Sequence, residues 1–339
     1  MTHQNYPVLG IDVSKLKLDA CLLMDSGQRL FLTVQNTSQG YAKLVAWLEQ
    51  HGTPPSAACL EATNNYSTGI AVFLHERAMT VYLANPSQVH AFMHAELRRV
   101  KTDKADAALL ADFVEAMRNK LQPWQPPPKH YQELRDLVRH LHELIRSRAV
   151  VKNRMEKVHY LTSAATTSIL RSLNAELKLY QKEIRLIREA IEECLRTHED
   201  LSARYALLTS APGIGQMTAI TFMAEVPNIQ QFASAKQLAA YAGVTPRVRH
   251  SGTHLPVSQP ISKIGNTRLR HVFFMAALTA KRYNQSIVSF AKRIQEKKKP
   301  LVVLVAVERK LLHLLSAMEK HQKPFNPNYQ KQQGMTGTI

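Results

Sequence analysis

The sequence predicts an α/β domain, then a long helical hairpin, then a basic and mostly helical C-terminal domain. Three observations lead there. Residues 6–35 carry three consecutive β patterns, residues 134–191 carry apolar side chains at steps of three and four, and positive charge gathers in the last 139 residues. A chain of 339 residues also exceeds what one core supports, roughly 250–300 residues. The expected division is an α/β domain over 1–122, a Pro-rich linker and coiled coil over 123–202, a basic domain over 203–325 and a flexible tail over 326–339.

The first three strands are YPVLGIDVS, KLKLDACLLMD and RLFLTVQN. In the second, Leu16, Leu18, Ala20 and Leu22 alternate with Lys15, Lys17, Asp19 and Cys21, the period of a half-buried antiparallel strand. A helix over Ser38–His51 follows, with Leu44, Val45 and Leu48 on one face and Ser38 as its cap. Next come a short apolar strand, Ala57 to Leu60, ending at Glu61, a helix near Tyr66–Arg77 and a fifth strand, MTVYLAN. Lys104–Met117 reads as a helix that turns Ala108, Leu109, Ala111 and Val114 inward. Three antiparallel strands followed by alternating helix and strand predict a mixed five-stranded sheet with helices on its faces. A ribonuclease-H-like nuclease fold requires this order.

The break PWQPPPKHY, Pro123 to Tyr131, ends the domain. Beyond it Leu134, Leu137, Leu141, Leu144, Val151, Met155 and Val158 keep heptad spacing, which resumes from Leu170 through Leu173, Leu177, Tyr180, Ile184, Ile187 and Ile191. That pattern predicts an antiparallel coiled-coil hairpin, suited to self-association or to spacing. The C-terminal domain opens with YALLTSAPGIGQMTAITFMAEV, two apolar helices around Pro-Gly-Ile-Gly. This resembles a helix-hairpin-helix element, in which Gly213 and Gly215 would bring backbone N–H groups to a phosphate. An ordinary tight turn would use the same glycines.

Lysine plus arginine balance aspartate plus glutamate at 11 each over residues 1–120, but stand at 19 against 4 over 201–339. Such a +15 segment is the footprint of a polyanion-binding domain, most simply for nucleic acid; a basic surface serving solubility is the alternative. Cys21, Cys59 and Cys194 are odd in number and far apart, against a disulfide framework or a zinc site. Without a signal-peptide pattern or a long apolar run, the expected location is the cytoplasm, with no membrane partner.

Asp12 lies among Val8, Leu9, Ile11 and Val13, and an ionised carboxylate in such a strand needs a partner or a metal. Glu61 ends an apolar strand, and Asp103 and Asp106 share one face of a helix's first turn. An aspartate at a helix start is also an ordinary cap or dipole partner. Four carboxylates from three segments nonetheless form a sensible oxygen-ligand set for hard divalent cations, which activate nucleophiles for displacement at phosphorus.

The segments GIDVSKLKLD, CLEATNNY and VKTDKADA, followed by LTSAPGIGQMTA, LAAYAGVTPR, HSGT and ISKIGNTRLR, resemble the DEDD transposases of bacterial insertion sequences, a family that includes site-specific DNA invertases. The resemblance covers residues 6–320 and implies a RuvC-like catalytic domain, a coiled coil and a C-terminal transposase domain. It implies that Asp12, Glu61, Asp103 and Asp106 bind Mg²⁺, with Mn²⁺ as a substitute, and that Ser251 in RVRHSGTH attacks DNA to form a phosphoserine link. Read locally, Ser251 is a serine in a basic segment, and Ser258 and Ser262 are competitors not followed by glycine. The resemblance further implies donor and target DNA and a non-coding bridge RNA as partners. Paired DNA partners require several active sites, so a homo-oligomer is expected, a dimer and in the synaptic complex a tetramer, associated with the nucleoid when active. Arg247, Arg249, Lys263, Arg268 and Arg270 are the candidate phosphate contacts; a solvated helix face is the plainer reading. Two other readings stay open: a junction-resolving nuclease that uses water, and a non-catalytic nucleic-acid-binding protein. A sugar-kinase-like or actin-like ATPase is disfavoured, because no second glycine-rich phosphate loop follows.

Overall fold

Strands β1 (Val8–Val13), β2 (Lys17–Leu23), β3 (Arg29–Gln35), β4 (Ala57–Glu61) and β5 (Thr80–Ala84) form one sheet in the order β3-β2-β1-β4-β5. The first three pair antiparallel, whereas β4 joins β1 and β5 joins β4 in parallel. This is the mixed, ribonuclease-H-like sheet that the element order predicts. The computed structural model describes residues 7–52, 55–61, 66–96, 102–158, 160, 163–246 and 261–327. The chain divides into two units at Pro126/Pro127.

In the first unit, helices α1 (Ser38–Gln50) and α2 (Thr68–His75) cover one face of the sheet, packing Leu44, Leu48, Ile70 and Leu74 against Leu9, Ile11 and Leu60. Helices α3 (Pro86–Ala95), which the sequence reading lacks, and α4 (Asp103–Met117) cover the other with Val89, Ala107, Leu110 and Phe113. Covering both faces corrects the expectation for β2: Leu18 through Leu23 are all buried, and Leu16, outside the strand, is exposed. The cap of α1 is Thr37 rather than Ser38. Thr37 keeps an extended backbone and its hydroxyl accepts the Gly40 N–H at 3.2 Å. Trp124 N donates to Val81 O (2.7 Å) and its ring joins the α1/α2 core. The Pro-rich run is thereby tied to the sheet, and the first unit extends to Pro126.

The second unit is helical. Helices α5 (Lys129–Val158) and α6 (Thr166–Thr197) are each about 45 Å long and antiparallel. At one end Val151 and Val158 meet Leu173, and at the other the Cys194 thiol lies against His130 O. Helices α7 (Glu199–Thr209), α8 (Gln216–Glu225), α9 (Ala235–Tyr241), α10 (Thr267–Tyr283), α11 (Gln285–Gln295) and α12 (Pro300–His321) complete the unit. The sequence reading set the hairpin apart, but Leu134, Val138, Leu141, Ile184 and Ile191 share one core with these later helices. Helix α8 lies inside that core, buried from Thr218 to Glu225.

Three of the four acidic residues beyond position 200 are also interior: Glu225, Glu308 and Glu319 are each under 5% exposed. Arg139 grips Glu225 with two hydrogen bonds of 2.9 Å, and Arg204 pairs with Glu319. Only Glu296 of the four is exposed, so the charge this segment shows to solvent is more one-sided than its composition states. Among the described residues, no helix is long and apolar enough to cross a membrane.

Candidate active site

Strand periodicity builds the acidic site. On β1 the even-numbered residues face α4 and the odd-numbered ones face α1 and α2. Asp12 therefore turns toward α4. It stands opposite Asp19 in β2, which in turn stands opposite Thr33 in β3, so the three form one cross-strand row. Glu61 follows Ala57 and Cys59 onto the same face of β4, one position past the registered pair Ile11–Leu60.

Helix α4 reaches this face because Gly10 has no side chain. A Cβ at Gly10 would overlap the Ala107 carbonyl oxygen and the Ala111 amide nitrogen. Thr102 caps α4, its hydroxyl accepting the Ala105 N–H at 3.2 Å, and Asp103 and Asp106 occupy the first turn. Strand and helix start thus place Glu61, Asp103 and Asp106 near enough to Asp12 for their charges to act on it.

Their crowding has a measurable consequence. The Asp12 carboxyl is pushed up from 3.8 to about 6, first by burial and then by the negative charges of Asp106, Asp103, Asp19 and Glu61. Among the described residues, Lys17 brings a cation to the cluster. Lys17 Nζ donates to Asp103 Oδ2 (2.5 Å) and lies 3.0 Å from Asp19 Oδ2, while the Thr33 hydroxyl donates to Asp19 Oδ1 at 2.6 Å. Lys17 holds the Asp103 carboxyl below its ordinary range, and its own ammonium is raised in return. Among the described residues, no three His, Cys, Asp or Glu side chains lie close enough together to hold a metal ion. The donor chemistry still fits a hard divalent cation, because every candidate donor is a carboxylate oxygen.

Sequence reasoning missed three members of this site. Asp19 was read only as the polar phase of a strand, Lys17 as its neighbour, and Gly10 was given no role. Gly10 carried a signal, since a glycine inside a strand marks a close backbone approach.

The nucleic-acid candidates fare differently. Gly213 has φ +101° and lies against the backbone of Ala280, so close packing on α10 accounts for it. Gly215 caps α8 and faces open space. Arg268 is partly exposed and 3.7 Å from Glu225, whereas Arg270 donates to Ala242 O and Thr267 Oγ1. Lys263 has φ +55° and lines a cavity. Arg247, Arg249 and Ser251 lie outside the described residues, as do Ser258 and the tail from residue 328.

Comparison with known proteins agrees with this arrangement. A transposase model of the DEDD type matches residues 9–163, and a model described as the transposase IS116/IS110/IS902 family matches residues 205–292. A pilin gene-inverting protein of Moraxella bovis is 29% identical over 94% of this chain and 97% of its own. The transposase for insertion sequence element IS1111A of Coxiella burnetii is 25% identical over 80% of this chain and 76% of its own. Among solved structures, Thermus thermophilus RuvC aligns with 35% of this chain and 99% of its own at 18% identity, with a TM-score of 0.27. With its acidic site inside the span of the first model and its basic helical segment inside that of the second, the chain belongs to the DEDD transposase family of bacterial insertion sequences, which also takes in the DNA-inverting relatives.

Proposed function

We propose that the chain is a Mg²⁺-dependent DNA recombinase that cuts and rejoins donor and target strands when an insertion sequence moves. The observation that carries this reading is the crowding of Asp106, Asp103, Asp19 and Glu61 around a half-buried Asp12. Each of these neighbouring charges disfavours ionisation of Asp12, and a bound cation would offset them; the carboxylates of Asp12, Glu61, Asp103 and Asp106 would hold it. When bound, Mg²⁺ neutralises charge developing on phosphoryl oxygens and on the leaving oxygen. Mn²⁺ would substitute.

In this reading Ser251 is the nucleophile. Its Oγ forms a bond to phosphorus as the bond from phosphorus to a deoxyribose oxygen breaks; the serine proton passes to solvent or a base, and the leaving oxygen takes up a proton. Attack on the phosphoserine by a hydroxyl of another strand reverses the exchange and rejoins DNA without a further energy source. The basic second unit holds the phosphates. Lys263 and Arg268 are its described candidates, joined by Arg247 and Arg249. Phosphate contacts fix register but carry no base information. Sequence choice then falls to base pairing by a bridge RNA, and paired DNA partners call for a dimer or tetramer.

A covalent protein–DNA adduct in denaturing gels tests the reading. It is expected with Mg²⁺ and labelled element-end DNA plus the element's own non-coding RNA, and is expected to vanish in both Asp12→Asn and Ser251→Ala. Cleavage that persists in Ser251→Ala would instead make this a nuclease that uses water. A second reading, inversion of a segment within one DNA, is favoured by the identity with the pilin gene-inverting protein. A plasmid carrying two sites in opposed orientation separates the two, since inversion flips the intervening DNA and transposition relocates it.

A further inference from the structure

The first half of α5 carries cations that the fold leaves under-neutralised. Arg135, Arg139 and His142 recur at i, i+4 and i+7, so they line one side of the helix beside the core stripe of Leu134, Val138 and Leu141. That side meets α8: Arg139 grips Glu225 through Nε and Nη2, and His142 Nε2 lies 2.9 Å from Thr221 Oγ1. The start of α10 closes in from the other side. Asn266 Nδ2 donates to Glu225 Oε2 at 2.7 Å, Arg268 Nη1 stands 3.7 Å from Glu225 Oε1, and the charges of Arg268 and His271 act on His142.

Among the described residues, Arg135, Arg139 and Arg268 thus gather around one interior carboxylate. Arg139 alone would suffice for a structural ion pair with Glu225. Arg135 lacks even that: its Nε has no hydrogen-bond partner among the described residues, and burial, then the Arg139 charge, hold its guanidinium below the ordinary range despite Asp136 and Glu225. Nε itself is shut off from solvent, so a ligand must meet the outer edge of the group. Arg135 is partly exposed, and the side chains of Arg139 and Arg268 are 27% and 38% exposed. Glu225 therefore holds two guanidiniums from the interior while their outer edges face water, which preorganises the cations for an anion from outside.

From Arg135 to His142 the cations run about 10 Å along α5, longer than one small anion and suited to a repeating one. Arginine is also the cation whose planar fork matches phosphate oxygens. An acidic peptide offers carboxylates on rotatable stems, whereas a nucleic-acid strand offers one phosphate per nucleotide along a regular track. We propose that the surface between α5 and the start of α10 binds the phosphate backbone of duplex DNA, with Arg135, Arg139 and Arg268 as the contacts and Glu225 as the residue that positions two of them. The choice of DNA rests on the recombinase reading. The hairpin thereby becomes a DNA-binding element and not only a spacer or a means of self-association.

The test is fluorescence anisotropy of the full chain with a labelled DNA duplex in EDTA, repeated over a series of salt concentrations. Arg135→Gln and, separately, Arg268→Gln should each weaken binding about fivefold and lower the slope of log affinity against log salt by about one, and the double variant should lower it by about two. Arg135→Lys keeps the charge and should restore the slope. Lys178→Gln removes the same charge from an exposed position on α6 and should change affinity less than about twofold. Unfolding at the wild-type denaturant midpoint separates these losses from damage to the fold. A wild-type slope in both single variants, or a loss matched by Lys178→Gln, would overturn the proposal. So would variants that weaken binding of an RNA duplex of the same sequence and spare DNA. Neither metal nor strand cleavage enters this measurement: a missing adduct refutes the recombinase chemistry and leaves the site standing, whereas an adduct alongside unchanged slopes refutes the site alone.

Discussion

Replacing Asp12 by Asn should stabilise the metal-free protein while disabling it. In the folded chain the Asp12 carboxyl titrates near 6, and in the unfolded chain near 3.8. Below about pH 4 both states are protonated and Asp12 costs nothing. Between pH 4 and pH 6 the unfolded chain gives up the proton while the folded chain retains it, so stability falls as pH rises and stays lower above pH 6. The shift corresponds to about 3 kcal/mol as an upper limit, reduced to about 2 kcal/mol by solvent screening of a half-buried group. Asparagine keeps the shape and carries no charge. In EDTA at pH 8 the unit carrying the sheet should therefore melt roughly 6–10 °C higher in Asp12→Asn than in wild type. The gap should close toward pH 4. Adding Mg²⁺ should raise the wild-type melting temperature and leave the variant's nearly unchanged. A variant less stable than wild type at pH 8, or a gap independent of pH, would refute the reasoning that Asp12 is held in a repulsive carboxylate cluster.

Gly10→Ala should push α4 off β1 and separate Asp12 from Asp103 and Asp106, lowering denaturant stability by about 3 kcal/mol and abolishing strand cleavage even in variants that fold. Lys17→Met should improve divalent-ion binding by about fivefold in calorimetric titration, because it removes an ammonium that competes for Asp103. Arg139→Ala leaves the interior carboxylate of Glu225 without its two-pronged partner and should cost about 3–5 kcal/mol in urea unfolding of the helical unit; Glu225→Gln in the same background should recover part of the loss.

The sheet was legible because strand alternation, apolar runs and cap residues are local signals. The three antiparallel strands, β4 and β5 could be read in order, and the acidic residues stood out against their apolar neighbours. What escaped was set by tertiary partners. That β2 is buried on both faces depends on α4 lying over Asp19 and Cys21, which no property of β2 itself announces. Lys17 and Asp19 read as a polar strand phase, and only the register that sets Asp19 opposite Asp12 turns them into part of the site. In the helical unit, the heptads gave the length and direction of α5 and α6, but not that their inner ends join the core of α8, α10 and α12. The buried positions of Glu225, Glu308 and Glu319 were equally silent, since a glutamate in a helix usually faces water.

Titration with Mn²⁺, followed by calorimetry in two buffers of different ionisation enthalpy at pH 6, bears most directly on the central claim. The account predicts that wild-type protein binds Mn²⁺ and releases about half a proton per site, because Asp12 is near its midpoint there and a bound cation drives it to the carboxylate. Asp12→Asn should lose both the binding and the proton release. Binding that is equally tight in Asp12→Asn, or that releases no proton, would contradict the assignment of this cluster as the metal-holding site.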